Sequence, residues 1–382
     1  MGTMMCDKKN RFCLFGVLSL ILALFFCPAA PLHAKGQISV RYAKGFSAES
    51  RADCTILRVT SPWPGSRESF VYVLYPRGTA RPQYQGRALY IQTPVRRVIS
   101  YSSTYLPEIM AFGGPDVIVG VDNAGYVYSP ELRARLISKQ TVETTRNGNP
   151  NMELLLALSP DAVFNYGMGS EWDSYPKMLE LGLPVVIDGE WNEATPLGRA
   201  EWLKFIACFF GREAEAEKLF SNIETSYYNL KKLAAGAAPR PRILANAPFQ
   251  GSWAVPGGKS YMAALIADAG GDYLWADNDS SGGLSLSLEA VYEKALSADI
   301  WLSPGAADSL KSLSAMDPRF SALRVFSEGR VYSNRLRALS SGANDYFESG
   351  AMHPELVLSD LIKIMHPELR LEVPFTYFSK LK

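Results

Sequence analysis

The stretch GSWAVPGGKS, residues 251–260, comes close to the pattern of a phosphate-binding loop. Such a loop needs a glycine, four further residues and then Gly-Lys-Ser/Thr, because its backbone amides must curl around a phosphate. Residues 258–260 satisfy the end of this pattern, but Trp253 occupies the position of the first glycine. A tryptophan there strains the tight turn and fills the space of the phosphate. The pattern therefore argues against phosphate binding and leaves the role of the tryptophan to be explained by the surrounding elements.

Other residue types that carry chemistry are scarce in the chain. After residue 34 it retains two histidines, His353 and His366, and two cysteines, Cys54 and Cys208. A protein-built zinc or copper site needs clusters of such residues at ligand spacing, and the sequence has none. It also lacks a G-x-S-x-G nucleophile elbow. We therefore predict no enzyme activity, no cofactor and no protein-held metal. Whether Cys54 and Cys208 form a disulfide is left open.

The N-terminus has the pattern of a secretory signal peptide. Basic residues at positions 8, 9 and 11 precede an apolar run over 12–26, which at about 15 residues is shorter than the ~20 needed to span a bilayer. We predict a signal peptide over residues 1–34, cleavage after Ala34 and a periplasmic location. Cys27 offers a lipid anchor as the less favoured alternative, because bulky aromatic residues rather than small ones precede it.

The charge balance argues against a nucleic-acid partner. Removal of residues 1–34 takes away three basic residues and one acidic residue, which leaves 36 basic against 37 acidic residues. There is no basic surplus to neutralise phosphates. The remaining ~350 residues exceed one comfortable hydrophobic core, so two lobes are expected.

The hydrophobic periodicity changes several times along the chain. Alternating strand patterns come first, short apolar strands alternate with helices after residue 96, and an apolar stripe over 212–236 indicates one helix of about 25 residues. After this helix the strand-helix alternation starts again. The predicted regions are a signal peptide 1–34, a β-rich N-terminal extension 35–95, an N-terminal α/β lobe 96–195, interlobe helices 196–238 and a C-terminal α/β lobe 239–382.

These regions predict an α/β fold of two Rossmann-like lobes joined by one long helix, the architecture of a helical-backbone binding protein. Strands that alternate with helices form parallel sheets. Ligands of such sheets bind outside the carboxyl ends of the strands. We therefore expect a site where the strand ends of the two lobes face each other.

From residue 96 to about residue 370 the chain resembles the substrate-binding proteins of bacterial ABC importers for metal chelates, namely ferric siderophores, haem and vitamin B12. The resemblance lies in the order and spacing of five segments: RRVISYSSTYLPEIMAFGGPDVIVGVDN, NGNPNMELLLALSPDAVFNYG, LGLPVVI, PGGKSYMAALIADAGG and LSLEAVYEKALSADIWL. In that family two lobes sit on a rigid interlobe helix and hold the ligand between them with little hinge motion. The β-rich segment 35–95 lies outside this pattern.

The resemblance implies ligand contacts by aromatic rings, together with an arginine that meets the oxygen atoms of a chelate. Arg146 matches an arginine of the ferric-hydroxamate members and Tyr166 matches a cleft aromatic. Trp253 matches an aromatic-bearing loop of the second lobe, with Ser260 as the N-cap of the next helix. Weaker candidates for the ligand site or its rim are Tyr126, Tyr128, Trp172, Trp191, Phe249, Arg335, Arg337, Tyr346 and Phe347.

Several of these residues have an alternative structural explanation. Trp253 fits burial between the loop and the sheet, and Arg146 fits a surface ion pair with a nearby glutamate. Trp191 and Arg199 either face the ligand or, with Glu201 and Trp202 beside Arg199, brace the hinge. The sequence does not decide between these alternatives.

The family also implies a membrane partner. Glu153 and Glu289 each begin a helix, one in each lobe, where a negative charge suits the helix dipole. In the family, glutamates at the matching places meet arginines of the permease, so both are predicted docking residues of a monomeric receptor. The predicted function is capture of an iron-siderophore or similar metal chelate and its delivery to an ABC permease. The alternatives are a cobalamin or haem receptor and, in another class, an exported hydrolase or chelatase.

Overall fold

A computed structural model describes residues 38–382, which belong to one compact unit spanning residues 35–382. The predictions of a signal peptide, of cleavage after Ala34 and of a lipid anchor at Cys27 lie outside the described residues. Among the described helices, none combines the length and the apolar character that a bilayer-spanning helix requires.

The N-terminal extension forms a mixed four-stranded sheet in the order β1-β2-β3-β4, in which only the β3–β4 pair is parallel. Alternate residues of β2 point to opposite faces. Leu57 and Val59 enter the main core, which also holds Cys208, whereas Ile56 joins Cys54 in a small cluster on the other face. The strands are β1 Phe46–Ser50, β2 Thr55–Thr60, β3 Ser69–Pro76 and β4 Leu89–Thr93.

The first lobe is built on a parallel five-stranded sheet in the order β11-β10-β5-β6-β7, with a separate β8–β9 hairpin. Four of its strands, β5, β6, β10 and β11, are short and buried along their whole length, as expected when helices cover a parallel sheet. The strands are β5 Val98–Ser100, β6 Ile118–Val121, β7 Val142–Glu143, β8 Thr145–Arg146, β9 Asn149–Pro150, β10 Ala162–Asn165 and β11 Val185–Ile187. The helices are α1 Leu106–Gly113, α2 Pro130–Ile137, α3 Met152–Leu158 and α4 Tyr175–Glu180.

Three helices connect the lobes: α5 Pro196–Ala200, α6 Leu203–Cys208 and α7 Glu213–Ala234. With 22 residues, α7 is about 33 Å long. Its buried stripe includes Ala216, Phe220 and Ile223. Because α7 packs on α6 and on the last helix of the second lobe, it supports both lobes, as the sequence predicts.

The second lobe repeats the arrangement with a sheet in the order β15-β12-β17-β18-β19, parallel except for the edge strand β19. Its strands are β12 Arg242–Ala245, β13 Pro248–Phe249, β14 Ser252–Pro256, β15 Asp272–Tyr273, β16 Gly283–Ser287, β17 Ile300–Leu302, β18 Val331–Ser333 and β19 Ser379–Lys380. Its helices are α8 Tyr261–Asp268, α9 Leu288–Ala295, α10 Leu310–Met316, α11 Arg324–Ser327, α12 Asp345–Glu348 and α13 Pro354–Met365.

The near-P-loop stretch belongs to a small antiparallel sheet, β13-β14-β16, rather than to a glycine-rich loop. Trp253 lies on β14, opposite Pro248 and Leu286. A side chain at Gly258 would place its Cβ 2.3 Å from the carbonyl oxygen of Asn278. Here glycine permits close packing of two backbone segments. Ser260 is the N-cap of α8, because its hydroxyl accepts a hydrogen bond from the amide of Ala263 at 3.3 Å.

The α/β fold class and the long helix between two α/β lobes are thus confirmed. The carboxyl ends of the parallel strands in the two lobes provide the edges at which a ligand site is expected.

Candidate functional site

Two adjoining cavities lie where the first-lobe strand ends and the interlobe helix α5 approach the second lobe. The inner cavity has a volume of about 210 Å³ and the outer cavity about 380 Å³. Residues from both lobes line each cavity. The two cavities share four lining residues, so they form one cleft: Asn246, Pro256, Tyr261 and Met262.

Arg199 of α5 lines the inner cavity and is the charged residue of its wall. Its Nε and Nη2 groups donate to the carboxylate of Glu190, the second contact at 3.2 Å to Oε1. The same Oε1 accepts a hydrogen bond from Thr104 Oγ1 at 2.9 Å. The guanidinium carbon also lies 5.2 Å from the ring centroid of Tyr261. These contacts hold the arginine in one orientation at the boundary between the lobes.

Two further carboxyl groups lie behind this ion pair. Glu108 and Asp188 are buried, and one oxygen of each has no hydrogen-bond partner among residues 38–382. Burial raises the pKa of both groups well above the usual range, and the neighbouring acidic side chains raise it further. Burial in this position therefore favours the neutral form of both carboxyl groups.

The second-lobe wall of the inner cavity contains two residues in the left-handed backbone region. Asn246 follows β12 with φ of 63°, and Ser303 follows β17 with φ of 54°. Asn246 donates through Nδ2 to the carbonyl of Ala254 at 2.8 Å. Ser303 is only 8% exposed, and its hydroxyl has no partner within the described part of the chain. Such strain in non-glycine residues often marks a functional position.

Six large apolar side chains, five of them aromatic, are exposed in segments that follow strands of the two lobes, and we call this set the aromatic rim. Their exposed fractions run from 40% for Tyr166 to 85% for Trp172. One of them, Phe347, also lines the inner cavity. All six come after the carboxyl end of a parallel strand in the chain, namely β6, β10, β12 or β18. Ligands of such sheets bind at that end of the strands. The rim consists of Tyr126, Tyr166, Met168, Trp172, Phe249 and Phe347.

Three of the predicted ligand or rim residues line the cavities: Trp191, Tyr346 and Phe347. Trp191 lines the outer cavity, and its indole Nε1 is buried without a hydrogen-bond partner in the described region. Tyr346 lines the inner cavity. Arg199 also lines the inner cavity. Its neighbours Glu201 and Trp202 are fully buried and face the N-terminal segment instead.

The expectation that Trp253 lies on the ligand face is wrong. The residue is 0% exposed, with its ring centroid 5.5 Å from that of Trp301 and 5.7 Å from that of Phe320. Its Nε1 donates to the carbonyl of Ala245 at 3.2 Å. Pairing of β14 with β16 turns the ring inward, and Trp253 therefore belongs to the core of the second lobe.

Arg146 and Arg335 also lie away from the cavities. Arg146 is exposed on the β8–β9 hairpin, and Arg335 follows β18 in a half-buried position. Neither lines the inner or the outer cavity. The arginine that lines the inner cavity is Arg199, for which the sequence left open whether it faces the ligand or braces the hinge.

Tyr128 belongs to a set of contacts between the lobes that we call the interlobe latch. The amides of Tyr128 and Ser129 donate to the buried carboxylate of Glu348 at 2.6 and 2.9 Å. Arg337 donates to the hydroxyl of Tyr128 at 3.3 Å, and Ser341 donates to the carbonyl of Gly125 at 3.1 Å. The latch therefore ties residues 125–129 of the first lobe to residues 337–348 of the second.

The two predicted docking residues are accessible. Glu153 is exposed in the first turn of α3, and Glu289 is exposed in the first turn of α9. Glu289 lies 3.5 Å from the guanidinium of Arg319, but 74% of its side chain remains in contact with solvent. Both carboxylates are free to meet a partner protein.

The sequence analysis missed Asn246, Tyr261 and Ser303 as cavity residues. Asn246 and Ser303 directly follow strands β12 and β17, in the segments LANAP and WLSPG. Their position at a strand end was an available signal, but their left-handed backbone was not readable from the sequence. Within residues 38–382, no group of three or more potential metal ligands is arranged to hold an ion.

Comparison with protein families and curated relatives gives this cleft a context. A family model described as periplasmic binding protein matches residues 98–334. An uncharacterised lipoprotein of Methanocaldococcus jannaschii is 27% identical over 288 residues, which cover 73% of this chain and 67% of the relative. A second uncharacterised lipoprotein of that organism is 29% identical over 300 residues, which cover 73% and 72%.

Solved structures share the fold. A periplasmic heme binding protein from Pseudomonas aeruginosa has a TM-score of 0.57 at 19% identity, covering 75% of this chain and 98% of its own. A protein of an Fe³⁺-hydroxamate transport system from Saccharomonospora viridis has a TM-score of 0.54 at 18% identity, covering 72% and 94%. The periplasmic vitamin B12 binding protein of Vibrio cholerae has a TM-score of 0.52 at 14% identity, covering 73% and 99%.

Proposed function

The chain belongs to the periplasmic binding protein family, and on this basis we propose that it is the substrate-binding protein of an ABC transporter for a metal chelate. It captures an iron-siderophore or a similar chelate between its lobes and delivers it to the membrane permease. It performs no reaction on the chelate. The metal is held by the chelator rather than by protein side chains.

The aromatic rim is the observation that carries this proposal. Six large apolar side chains are exposed in the segments that follow parallel strands of the two lobes, and exposed apolar side chains at that position support a binding site. Ring faces suit a bulky, partly apolar ligand that stacks on them. The cavities beneath the rim add polar groups from both lobes, which orient a ligand held between them.

A haem or cobalamin receptor is the second candidate. The rim suits a flat macrocycle as well as a siderophore. Against haem stands the state of Tyr166, the exposed tyrosine that would be a candidate iron ligand. Partial burial and the nearby Asp122 and Asp173 raise its pKa, which disfavours the phenolate that binds iron. This argues for an iron-siderophore, whose iron needs no protein ligand, over haem.

Docking on the permease through Glu153 and Glu289 is part of the same proposal. A crossover helix runs antiparallel to the strands, so the first turns of α3 and α9 lie on the cleft side of each sheet. Two exposed carboxylates, one in each lobe, can then contact the permease together. Each exposed ion pair contributes about 1 kcal/mol or less, so docking requires both.

Export follows from the same assignment. We propose that the chain acts in the periplasm as a monomer after cleavage near Ala34. The lipoprotein names of two relatives keep Cys27 open as an anchor. Mass spectrometry of the processed N-terminus distinguishes the two, because a lipid-modified Cys27 adds the mass of its acyl chains.

The function is tested by titrating the processed protein with ferrichrome, ferric citrate, haem and cyanocobalamin. The chain has seven tryptophans, and Trp172 and Trp191 lie at the rim and in the outer cavity, so a bound chelate quenches fluorescence. We expect saturable 1:1 binding of a ferric chelate, which is recovered chemically unchanged. Binding of none of the four probes contradicts the proposal. Conversion of a probe, detected by mass spectrometry, supports the hydrolase or chelatase alternative instead.

A further inference from the structure

The inner cavity is lined by hydrogen-bond donors that the protein itself does not use. Glu190 occupies Nε and Nη2 of Arg199, so Nη1 has no partner within residues 38–382. The hydroxyl of Ser303 is buried and unpartnered in the same region. Tyr261 and Tyr346 bring two more hydroxyl groups to this cavity. A cavity with this lining is suited to acceptor oxygen atoms from outside the protein.

Ser303 lowers the stability of the folded protein in two ways. Its φ of 54° lies in the region that glycine adopts readily and serine does not. Its hydroxyl forgoes the hydrogen bonds it would make in water. Glycine at this position would remove both penalties. Both the backbone conformation and the unpartnered hydroxyl of Ser303 lower the stability of the fold. Because the residue lines a cavity, this indicates that its hydroxyl group is needed for binding.

No acidic residue of the described chain lines the inner cavity, and Arg199 is the charged residue in its wall. Glu190 is engaged on the other edge of the guanidinium and by Thr104. Glu108 and Asp188 are buried behind the ion pair, and neither lines the inner cavity. The guanidinium edge that remains open is therefore the charged group a ligand meets first.

We propose that the inner cavity is an oxyanion subsite, in which Arg199 and Ser303 bind a carboxylate of the chelate while the aromatic rim holds its bulk. This inference rests on the proposed function and names the ligand class: a chelate with at least one free carboxylate. A volume of about 210 Å³ accommodates a carboxylate and a short carbon chain, but not a whole siderophore. Arg199 and Ser303 are accordingly specificity-determining residues.

The test compares pairs of probes that differ in free carboxylates. Ferric citrate and haem carry them, whereas ferrichrome and haem dimethyl ester do not. We expect the carboxylate-bearing member to bind about tenfold more tightly or better, the effect of a hydrogen bond to a charged group. Equal or tighter binding of the neutral members overturns the inference and leaves the proposed function standing. Binding of neither kind overturns both.

Two variants locate the effect in the inner cavity. Ser303→Gly should bind the carboxylate-bearing probe about tenfold more weakly while its melting temperature stays the same or rises, because the strain is relieved. Arg199→Lys keeps the charge but loses the planar fork, so it should also reduce the preference for the carboxylate. Unchanged preference in both variants contradicts the subsite.

Ser333→Ala is the matched control. Ser333 also ends a strand, is buried and has an unpartnered hydroxyl among the described residues, but it lines neither cavity. Its removal should leave all four affinities unchanged. A loss of affinity as large as that of Ser303→Gly would show that the effect is structural, and would overturn the assignment of Ser303.

Discussion

Trp253 and Trp172 differ greatly in solvent exposure, although each comes within eight residues after a parallel strand. Trp253 is 0% exposed and packs on Trp301 and Phe320, with its indole nitrogen bonded to a carbonyl. Trp172 is 85% exposed on the aromatic rim. The first ring stabilises the second lobe, and the second is available to a ligand.

Trp253→Ala is therefore expected to lower the free energy of unfolding by about 3–5 kcal/mol, the cost of removing a large buried ring. Trp172→Ala should change it by about 0.5 kcal/mol or less and should instead weaken chelate binding. Urea denaturation followed by circular dichroism measures the first effect, and fluorescence titration the second. A Trp253→Ala protein of normal stability with weak binding would reverse the two roles.

Helices α5 to α7 do more than join the lobes, because they also hold the N-terminal segment 39–45. The carboxylate of Glu201 accepts backbone amide bonds of 2.6–3.0 Å from residues 41–43. It also accepts from the buried Lys204 at 3.1 Å, and that ammonium donates to the carbonyl of Ser39 at 2.7 Å. The accessory sheet is thereby fixed to the support of the lobes.

Glu201→Gln is expected to lower the free energy of unfolding by about 1–3 kcal/mol, because it weakens the bonds that this buried carboxylate accepts from the backbone amides and from Lys204. Lys204 keeps a second carboxylate partner, Glu217, at 2.9 Å. Glu215→Gln is the matched control on α7, where an exposed pair with Arg212 contributes little. Both are measured by urea denaturation. Equal stability of the two variants would mean that the N-terminal segment does not depend on Glu201.

On the scale of the whole molecule, the lobes are held by α7 on one side and by the interlobe latch on the other. Glu348 is the charged centre of the latch. Burial, and to a smaller extent the neighbouring Asp345, raise the pKa of Glu348 to about 7. The amides of Tyr128 and Ser129 and the guanidinium of Arg337 act in the opposite direction. The latch therefore changes its charge near neutral pH.

This pKa predicts how stability depends on pH. The folded protein holds the Glu348 proton more tightly than the unfolded chain does. Below the ordinary pKa of a glutamic acid, Glu348 therefore makes its full contribution to the free energy of unfolding. This stability contribution is lost as the pH rises through about 7. At most it amounts to about 3 kcal/mol. Glu348→Gln should flatten the fall in unfolding free energy between pH 4.5 and 8. The exposed control Glu180→Gln should keep the wild-type slope, and an unaltered slope in Glu348→Gln contradicts the assignment.

The outer surface of the whole molecule sets a further expectation. Glu153→Ala combined with Glu289→Ala should preserve chelate affinity and abolish delivery to the permease, because both docking charges are lost. The control replaces Glu180 and Glu293, exposed acidic residues beyond the first turns of α4 and α9. Uptake of iron-55 chelate in cells that carry the permease measures delivery. Weakened chelate binding in the docking variant, or normal uptake, would remove these residues from the interface.

Local periodicity determined the elements of this protein from its sequence. The apolar stripe of α7 and the alternation of short strands with helices depend on neighbours a few residues apart, so they can be read along the chain. The strand ends that carry Tyr166, Trp191 and Tyr346 could be located for the same reason. From these elements followed the two lobes and the place of a ligand between them.

The tertiary structure alone decided which side chains reach that place. Trp253 is buried because β14 pairs with β16, some thirty residues further along, and no local pattern encodes that pairing. Arg199 reaches the cavity because Glu190 holds it there, and Ser303 does so because its backbone is left-handed. Periodicity depends on the chain itself, whereas burial and orientation depend on whatever the fold places opposite each side chain.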